Sequence, residues 1–430
     1  HRTVDLINKH TAIKPASNPF ANRRVTFIDL LRAYAILMML QGHFTDTLLD
    51  VSYRDPDNLI FSTWSFMRGM TAPIFFFASG LIFVFLLMRD TAPFWQNVRV
   101  RKGLKRGIEL IIIGYVLRMS FPRLLKGHIY PGLFAVDVLH CIGLALLVLV
   151  SVYALSSYLR LSYPLLLAIG GSLVFYFHFD FKNADWSFLP LVLENYFTKA
   201  NGSVFTPIPW VGYSMLGGVL GYALNRRPQW AFGQLLPLAL LAAGLLVHYR
   251  SSWALTQLYE VTGLENFKAH ANFNFLAWRM GHVFIAVAIF IWIAQLWRNI
   301  PKLLLRIGSE TLVIYEVHFV LLYSTWLGIG LSSYWYRSLT PVQTIIGAAL
   351  FIGFFVLLIA HIDKIRKYRW PWWRENLAVA AGYGWKWGKE GAVFGRERAV
   401  FIWRVLRVRV VRWYLRRVYR AAYQSGSGEE

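Results

Sequence analysis

Long apolar runs recur along this chain, and they constrain its fold more than any other feature. A bilayer core of about 30 Å is crossed by about 20 consecutive apolar residues in a helix. Ten stretches approach that length, at about 27–48, 66–88, 107–122, 132–156, 161–178, 207–225, 229–248, 272–297, 303–328 and 341–362. Apolar residues make up 57% of the sequence and charged residues 16%, against about a quarter charged in a soluble domain. The expectation is therefore an all-α, polytopic membrane bundle of about ten transmembrane helices. The first stretch carries charges and no small-residue cleavage site follows it, so it is expected to stay as a working helix.

Lysines and arginines orient the bundle. With the N-terminus in the cytoplasm, the inner segments before the tail with their adjoining helix ends hold 17 of them, and the outer loops with theirs 10. Residues 363–430 add 16 more, which ten spans place inside. The bias predicts both termini in the cytoplasm. Three regions follow: a cytoplasmic segment 1–24, a transmembrane region 25–362, and a basic, aromatic tail 363–430. Within the tail, 397–423 has the pattern of a basic amphipathic helix suited to anionic lipid. In a membrane protein the net charge of +23 speaks for orientation and lipid, and no nucleic-acid partner is expected. Gly217 and Gly221 have the spacing of a close helix–helix contact.

Ionisable residues inside a membrane are costly, so each is a functional candidate. Span one contains Arg32 and His43, eleven residues apart. They fall within about 20° of one helix face and about 16 Å apart along the axis. Arg32 then sits near the cytoplasmic end and His43 near the outer end. Asp46, three residues further, is placed to orient the imidazole. Span four carries Asp137 and His140, and span eight Arg279 and His282, each pair at the same i,i+3 spacing. Arg68 opens span two on the outer side, and span nine brings Tyr315 and His318 to similar depth. Five helices thus direct ionisable groups to one half of the bundle. The densest inner basic cluster is Arg99, Arg101, Lys102, Lys105 and Arg106.

Plainer roles compete at each position. Membrane histidines are often packed, hydrogen-bonded core residues. Asp137 and Arg279 fit interhelical ion pairs. Asp29 and Glu310 fit solvated helix starts, and His178 and His361 fit membrane interfaces. The single cysteine, Cys141, leaves no disulfide framework, and no Cys or His spacing suggests a metal site. Walker phosphate loop, dinucleotide fingerprint and nucleophile elbow are all missing, which argues against an ATP-driven pump and a serine hydrolase.

The sequence Arg24-Val-Thr-Phe-Ile-Asp29-Leu-Leu-Arg32, followed by ten residues and His43, resembles the Arg-x10-His signature of the transmembrane acyltransferase superfamily. Arg68-Gly-Met-Thr-Ala-Pro73-Ile-Phe-Phe-Phe-Ala-Ser-Gly80 is similar to its second-helix motif. Asp137-Val-Leu-His-Cys-Ile-Gly143, Pro209-Trp210-Val-Gly212-Tyr and Gly308-x6-Tyr315-x2-His318 resemble most the bacterial heparan-alpha-glucosaminide N-acetyltransferase-like proteins. The resemblance covers about residues 24–360. It implies transfer of an acyl group, typically from acetyl-CoA, to a sugar or glycan across the membrane, in a bacterium at the inner membrane. In lysosomal members the catalytic histidine lies in the first luminal loop, whereas residues 50–64 here contain none. Either that role passes to His43, or the acetylglucosaminide chemistry is absent.

On this resemblance, Arg32, Arg101, Lys102 and Lys105 are expected to bind the phosphates of acyl-CoA, with its pantetheine arm along span one. His43 is expected to act as general base or transient acyl carrier. Asp46 would orient it, and His318, Arg68 or Tyr315 would stabilise an oxyanion. Asp29, Asp137, His140, Arg279 and His282 complete the candidates, with no metal. A secondary transporter or flippase, and a non-catalytic scaffold subunit, are the other classes; a homodimer stays open.

Overall fold

The computed structural model describes residues 25–297, 299–324 and 326–367. The described residues up to Ile359 form one compact unit; Ala360 begins a second, described only as far as Lys367. The N-terminal segment 1–24 and nearly all of the tail lie outside the described residues. The main helices are α1 (Thr26–Leu48), α2 (Leu59–Gly69), α3 (Thr71–Leu87), α4 (Val98–Arg118), α5 (Val138–Leu159) and α6 (Tyr163–Tyr176). They continue with α7 (Pro207–Arg226), α8 (Leu235–Thr262), α9 (Phe275–Leu296), α10 (Lys302–Ser309), α11 (Thr311–Tyr323) and α12 (Pro341–Ala360). No strand occurs among the described residues, only an isolated bridge between Leu49 and Leu339.

Each of the ten apolar stretches carries helix. Among the described residues, five helical segments, 20 to 29 residues long, are long and apolar enough to cross a membrane, and the protein is an integral membrane protein. Several stretches depart from one simple helix, the ninth and the second among them. The ninth breaks at Glu310, whose backbone leaves helical geometry between α10 and α11. The second begins two turns early, at Leu59, because the Asn58 side chain accepts hydrogen bonds from the Ile60 and Phe61 N–H groups and starts a helix there.

Close backbone contact locks the centre of the bundle. A Cβ on Gly80 of α3 would lie 1.8 Å from the Ser214 carbonyl oxygen of α7. On α7, Cβ atoms at Gly217 and Gly221 would lie 2.1 and 2.3 Å from the Phe77 and Leu81 carbonyls. Only glycine permits that approach, so the small-residue spacing on α7 is a packing seam against α3. The Ser214 hydroxyl adds a hydrogen bond to the Phe76 carbonyl across the same seam. Phe27, Phe76, Phe77 and Tyr213 are among the largest fully buried side chains around it.

α1 and α11 run side by side in one register. Arg32 donates to the Thr311 hydroxyl at 3.0 Å, His43 meets His318 at 3.0 Å, and Thr47 meets Tyr323 at 3.4 Å. Three successive polar contacts therefore tie the same two helices along most of the length of α11.

Candidate active site

An elongated, largely apolar cavity of about 510 Å3 opens between α1, α3, α4, α5, α7 and α11. Arg32 and Arg106 stand at one end of it, and His43, Arg68 and Trp210 at the other. Between them the walls are Ile36, Met39, Phe75, Ile82 and their neighbours. Because α1 is unbroken from Thr26 to Leu48, the two ends stay about 16 Å apart along its axis.

At the histidine end, His43 Nδ1 lies 3.0 Å from His318 Nε2, with ring centroids 5.2 Å apart. His43 lines the cavity. His318 is 0% exposed and stands behind it, outside the lining. Its Nδ1 faces the Ile314 and Tyr315 carbonyls one turn back on its own helix, without a full hydrogen bond. A proton on that nitrogen suits those carbonyls. His318 Nε2 then accepts, His43 Nδ1 donates, and His43 Nε2 is left with a lone pair.

Asp46 does not make the contact expected of it. Its carboxylate forms an ion pair with Arg68, and the ring nitrogen of His43 that a carboxylate would have oriented is taken by His318. One turn of helix brings Asp46 onto the face of span two, where a full positive charge outcompetes a neutral imidazole. Gly42 makes room for this: a Cβ there would come 3.0 Å from Arg68 Cγ. Arg68 and Tyr315 both line the cavity near His43.

Asp137 and His140 form a second buried group beside the first. Arg118 pairs with Asp137 at 3.0 Å, and the Tyr315 hydroxyl faces the same carboxylate. Asp137 caps α5 through the Val138 N–H, while its own N–H donates to His140 Nδ1 at 3.0 Å. His140 is fully buried against Tyr115 and does not reach the cavity. Its place in the structure is a helix cap. Arg279 and His282 also lie off the cavity: Arg279 donates to the Phe66 carbonyl and stacks on the Phe66 ring, and His282 packs against Phe66 and His248.

At the arginine end, Arg32 sits near Asp29 and Arg106, with its Nε buried and unpartnered. Of the basic cluster on α4, the structure brings Arg106 to the cavity, and not Arg101, Lys102 or Lys105. Arg101 donates to the Trp95 carbonyl, Lys105 pairs with Glu109 at 3.7 Å, and Lys102 is exposed. The α-helical period decides this. Gly103, Gly107, Leu110 and Gly114 face the bundle, and of these basic residues Arg106 flanks that stripe on the cavity side. The sequence showed Arg106 only as a member of a cluster; its place beside the small-residue stripe was the signal available. Trp210 was visible as part of a motif and proves to line the cavity.

Such a site offers a deep apolar channel with two guanidinium groups at one end and an imidazole lone pair at the other. No group of three or more potential metal ligands occurs among the described residues. No curated protein matches the chain. Its residues 24–258 match the family model described as heparan-alpha-glucosaminide N-acetyltransferase, catalytic. The match contains Arg32, His43, Arg68 and Arg106 and ends before α9, so His318 comes from outside it. A match over more than half of the chain, on top of this cavity, makes the protein a member of the heparan-alpha-glucosaminide N-acetyltransferase catalytic family of membrane acetyltransferases.

Proposed function

We propose that the protein moves an acetyl group from cytosolic acetyl-CoA to a hydroxyl or amine of a sugar or glycan on the outer side of a bacterial inner membrane. The observation that carries this reading is the cavity joining Arg32 and Arg106 to His43 through apolar walls. Both ends of CoA find a counterpart there. The arginines suit phosphate or pantetheine amide oxygens by charge-assisted hydrogen bonds. The pantetheine arm fits a narrow apolar channel, and the thioester arrives at His43 after about 16 Å. The lysine and arginine bias supports an arginine end on the inside. Arg101, Lys102 and Lys105 then act at most as a positive rim that attracts the nucleotide.

In this reading His43 Nε2 removes the proton from the acceptor as its oxygen or nitrogen attacks the thioester carbonyl. Arg68 faces the growing negative charge on the carbonyl oxygen, while the Tyr315 hydroxyl stays on Asp137. The tetrahedral adduct collapses, the carbon–sulfur bond breaks, and the thiolate recovers the proton from His43. His318 holds the His43 tautomer and is a positioning residue. The tail at 363–430, mostly outside the described residues, meets anionic lipid on the cytoplasmic face.

The test is a pair of variants in the purified full chain. His43→Ala should lower turnover about 10²–10⁴-fold while acetyl-CoA still binds. Arg32→Ala should instead weaken acetyl-CoA binding, with turnover at saturation preserved. A His43→Ala protein that transfers acetyl groups at the wild-type rate refutes the assignment.

A further inference from the structure

A second and larger cleft lies where the short helices His178–Asn183 and Glu265–Asn272 meet the ends of α8 and α9. It encloses about 1200 Å3, more than the ~300–1,000 Å3 of most small-molecule pockets. Two links tie this cleft to the histidine end of the first cavity. Arg279 of α9 donates to the Phe66 carbonyl, two residues from Arg68. Tyr213 donates to the Leu276 carbonyl and stacks on Trp210, which lines the cavity. Cleft and cavity therefore lie toward the same end of the bundle.

The chemistry of the cleft is distinctive. Side-chain amides of Asn183, Asn266 and Asn272 line it beside the rings of Phe273, Phe275 and Trp278. Trp278 is 47% exposed and Phe273 is 72% exposed. Amides both donate and accept, which matches hydroxyl groups. Flat aromatic faces match the C–H face of a pyranose ring. The charges balance, with Lys182 and Lys268 against Asp180 and Glu265. Lys268 and Glu265 lie 3.9 Å apart, and Asp180 accepts from the Asn266 amide. Burial pushes His178 down to about 4, so it adds no charge at neutral pH.

We propose that this cleft is an oligosaccharide subsite that holds the non-reacting residues of an uncharged glycan, its amides on the hydroxyls and Trp278 and Phe273 on the sugar faces, while the terminal sugar reaches His43. The proposal rests on the reading of the acceptor as a sugar, and it deepens that reading by assigning chain length and charge. The weak sign of the cleft favours neutral chains over polyanions.

Binding separates the two ideas, because it needs no turnover. The full chain in lipid nanodiscs is titrated with an uncharged N-acetylglucosamine hexamer and with the monomer. The hexamer should bind at least tenfold more tightly. Trp278→Ala combined with Asn272→Ala should bring the hexamer-to-monomer ratio toward one, with Phe273→Ala as the second variant if the double variant does not fold. His43→Ala should keep the hexamer advantage. Equal affinity for hexamer and monomer in the wild type overturns the proposal, as does a full advantage in a folded cleft variant. Tighter binding of a heparan hexasaccharide of equal length also overturns it. A protein that binds the hexamer through Trp278 but transfers no acetyl group refutes the acetyltransfer reading and leaves the subsite standing.

Discussion

Replacing His318 by Phe keeps the ring and removes its nitrogens. The wild-type bond between His43 Nδ1 and His318 Nε2 is 3.0 Å, and His318 is 0% exposed, so no water is at hand to replace it. A buried donor without a partner costs about 1–3 kcal/mol. The His43 ring escapes that cost by moving its proton to Nε2, the atom that must accept the substrate proton. Restoring the productive tautomer then adds the same free energy to the barrier, which is about 5–150-fold in rate. The assay is steady-state acetyl transfer together with acetyl-CoA binding. Turnover should fall within that range while donor affinity holds, because the arginine end is about 16 Å away along α1. His318→Gln, whose side-chain oxygen can accept from Nδ1, should recover part of the loss. A folded His318→Phe protein with turnover within about twofold of wild type refutes the tautomer argument.

Three other outcomes are expected. Arg106→Ala should raise the acetyl-CoA KM about tenfold or more with little change in kcat, since a charge-assisted bond is lost at a point remote from the chemistry; an unchanged KM removes Arg106 from the donor site. Gly80→Ala forces a Cβ to 1.8 Å from the Ser214 carbonyl and should destabilise by about 1–3 kcal/mol or more, whereas Gly353→Ala, with nothing within 4 Å, should stay within about 1 kcal/mol in the same unfolding assay. His178, held down to about 4 chiefly by burial, binds fewer protons folded than unfolded between about pH 4 and its ordinary value of about 6.5. Its contribution is therefore complete above that value and lost as pH falls, so the thermal midpoint should drop between pH 7 and pH 4.5 and drop less in His178→Asn; equal slopes would contradict it.

Much of this architecture was legible because bilayer thickness writes itself into apolar run lengths. The face shared by Arg32 and His43 followed from helical period alone, and the structure puts both side chains in one cavity. What escaped was the identity of most partners on a second helix. Asp46 sits three residues from His43, yet its partner is set by Arg68, in the last turn of α2. The ring that meets His43 comes from a position 275 residues away. The i,i+3 spacing of Asp137 and His140 was visible, but not that it serves a helix cap. The identical spacing of Arg279 and His282 makes no cap and instead puts both side chains against Phe66, because neighbours and not intervals decide what a polar side chain touches.

The unbroken α1 behaves as a ruler with its marks on one rigid edge. On the proposed function, a helix that cannot shorten to suit a smaller donor would make the interval between Arg32 and His43 select carriers by length. Acetyl phosphate could offer an anion to the arginines or an acyl carbon to the imidazole, but not both at once. A phosphopantetheine arm satisfies both marks, whether its far end is a nucleotide or another bulky head left outside. The helix thus measures the tether and is indifferent to what the tether hangs from.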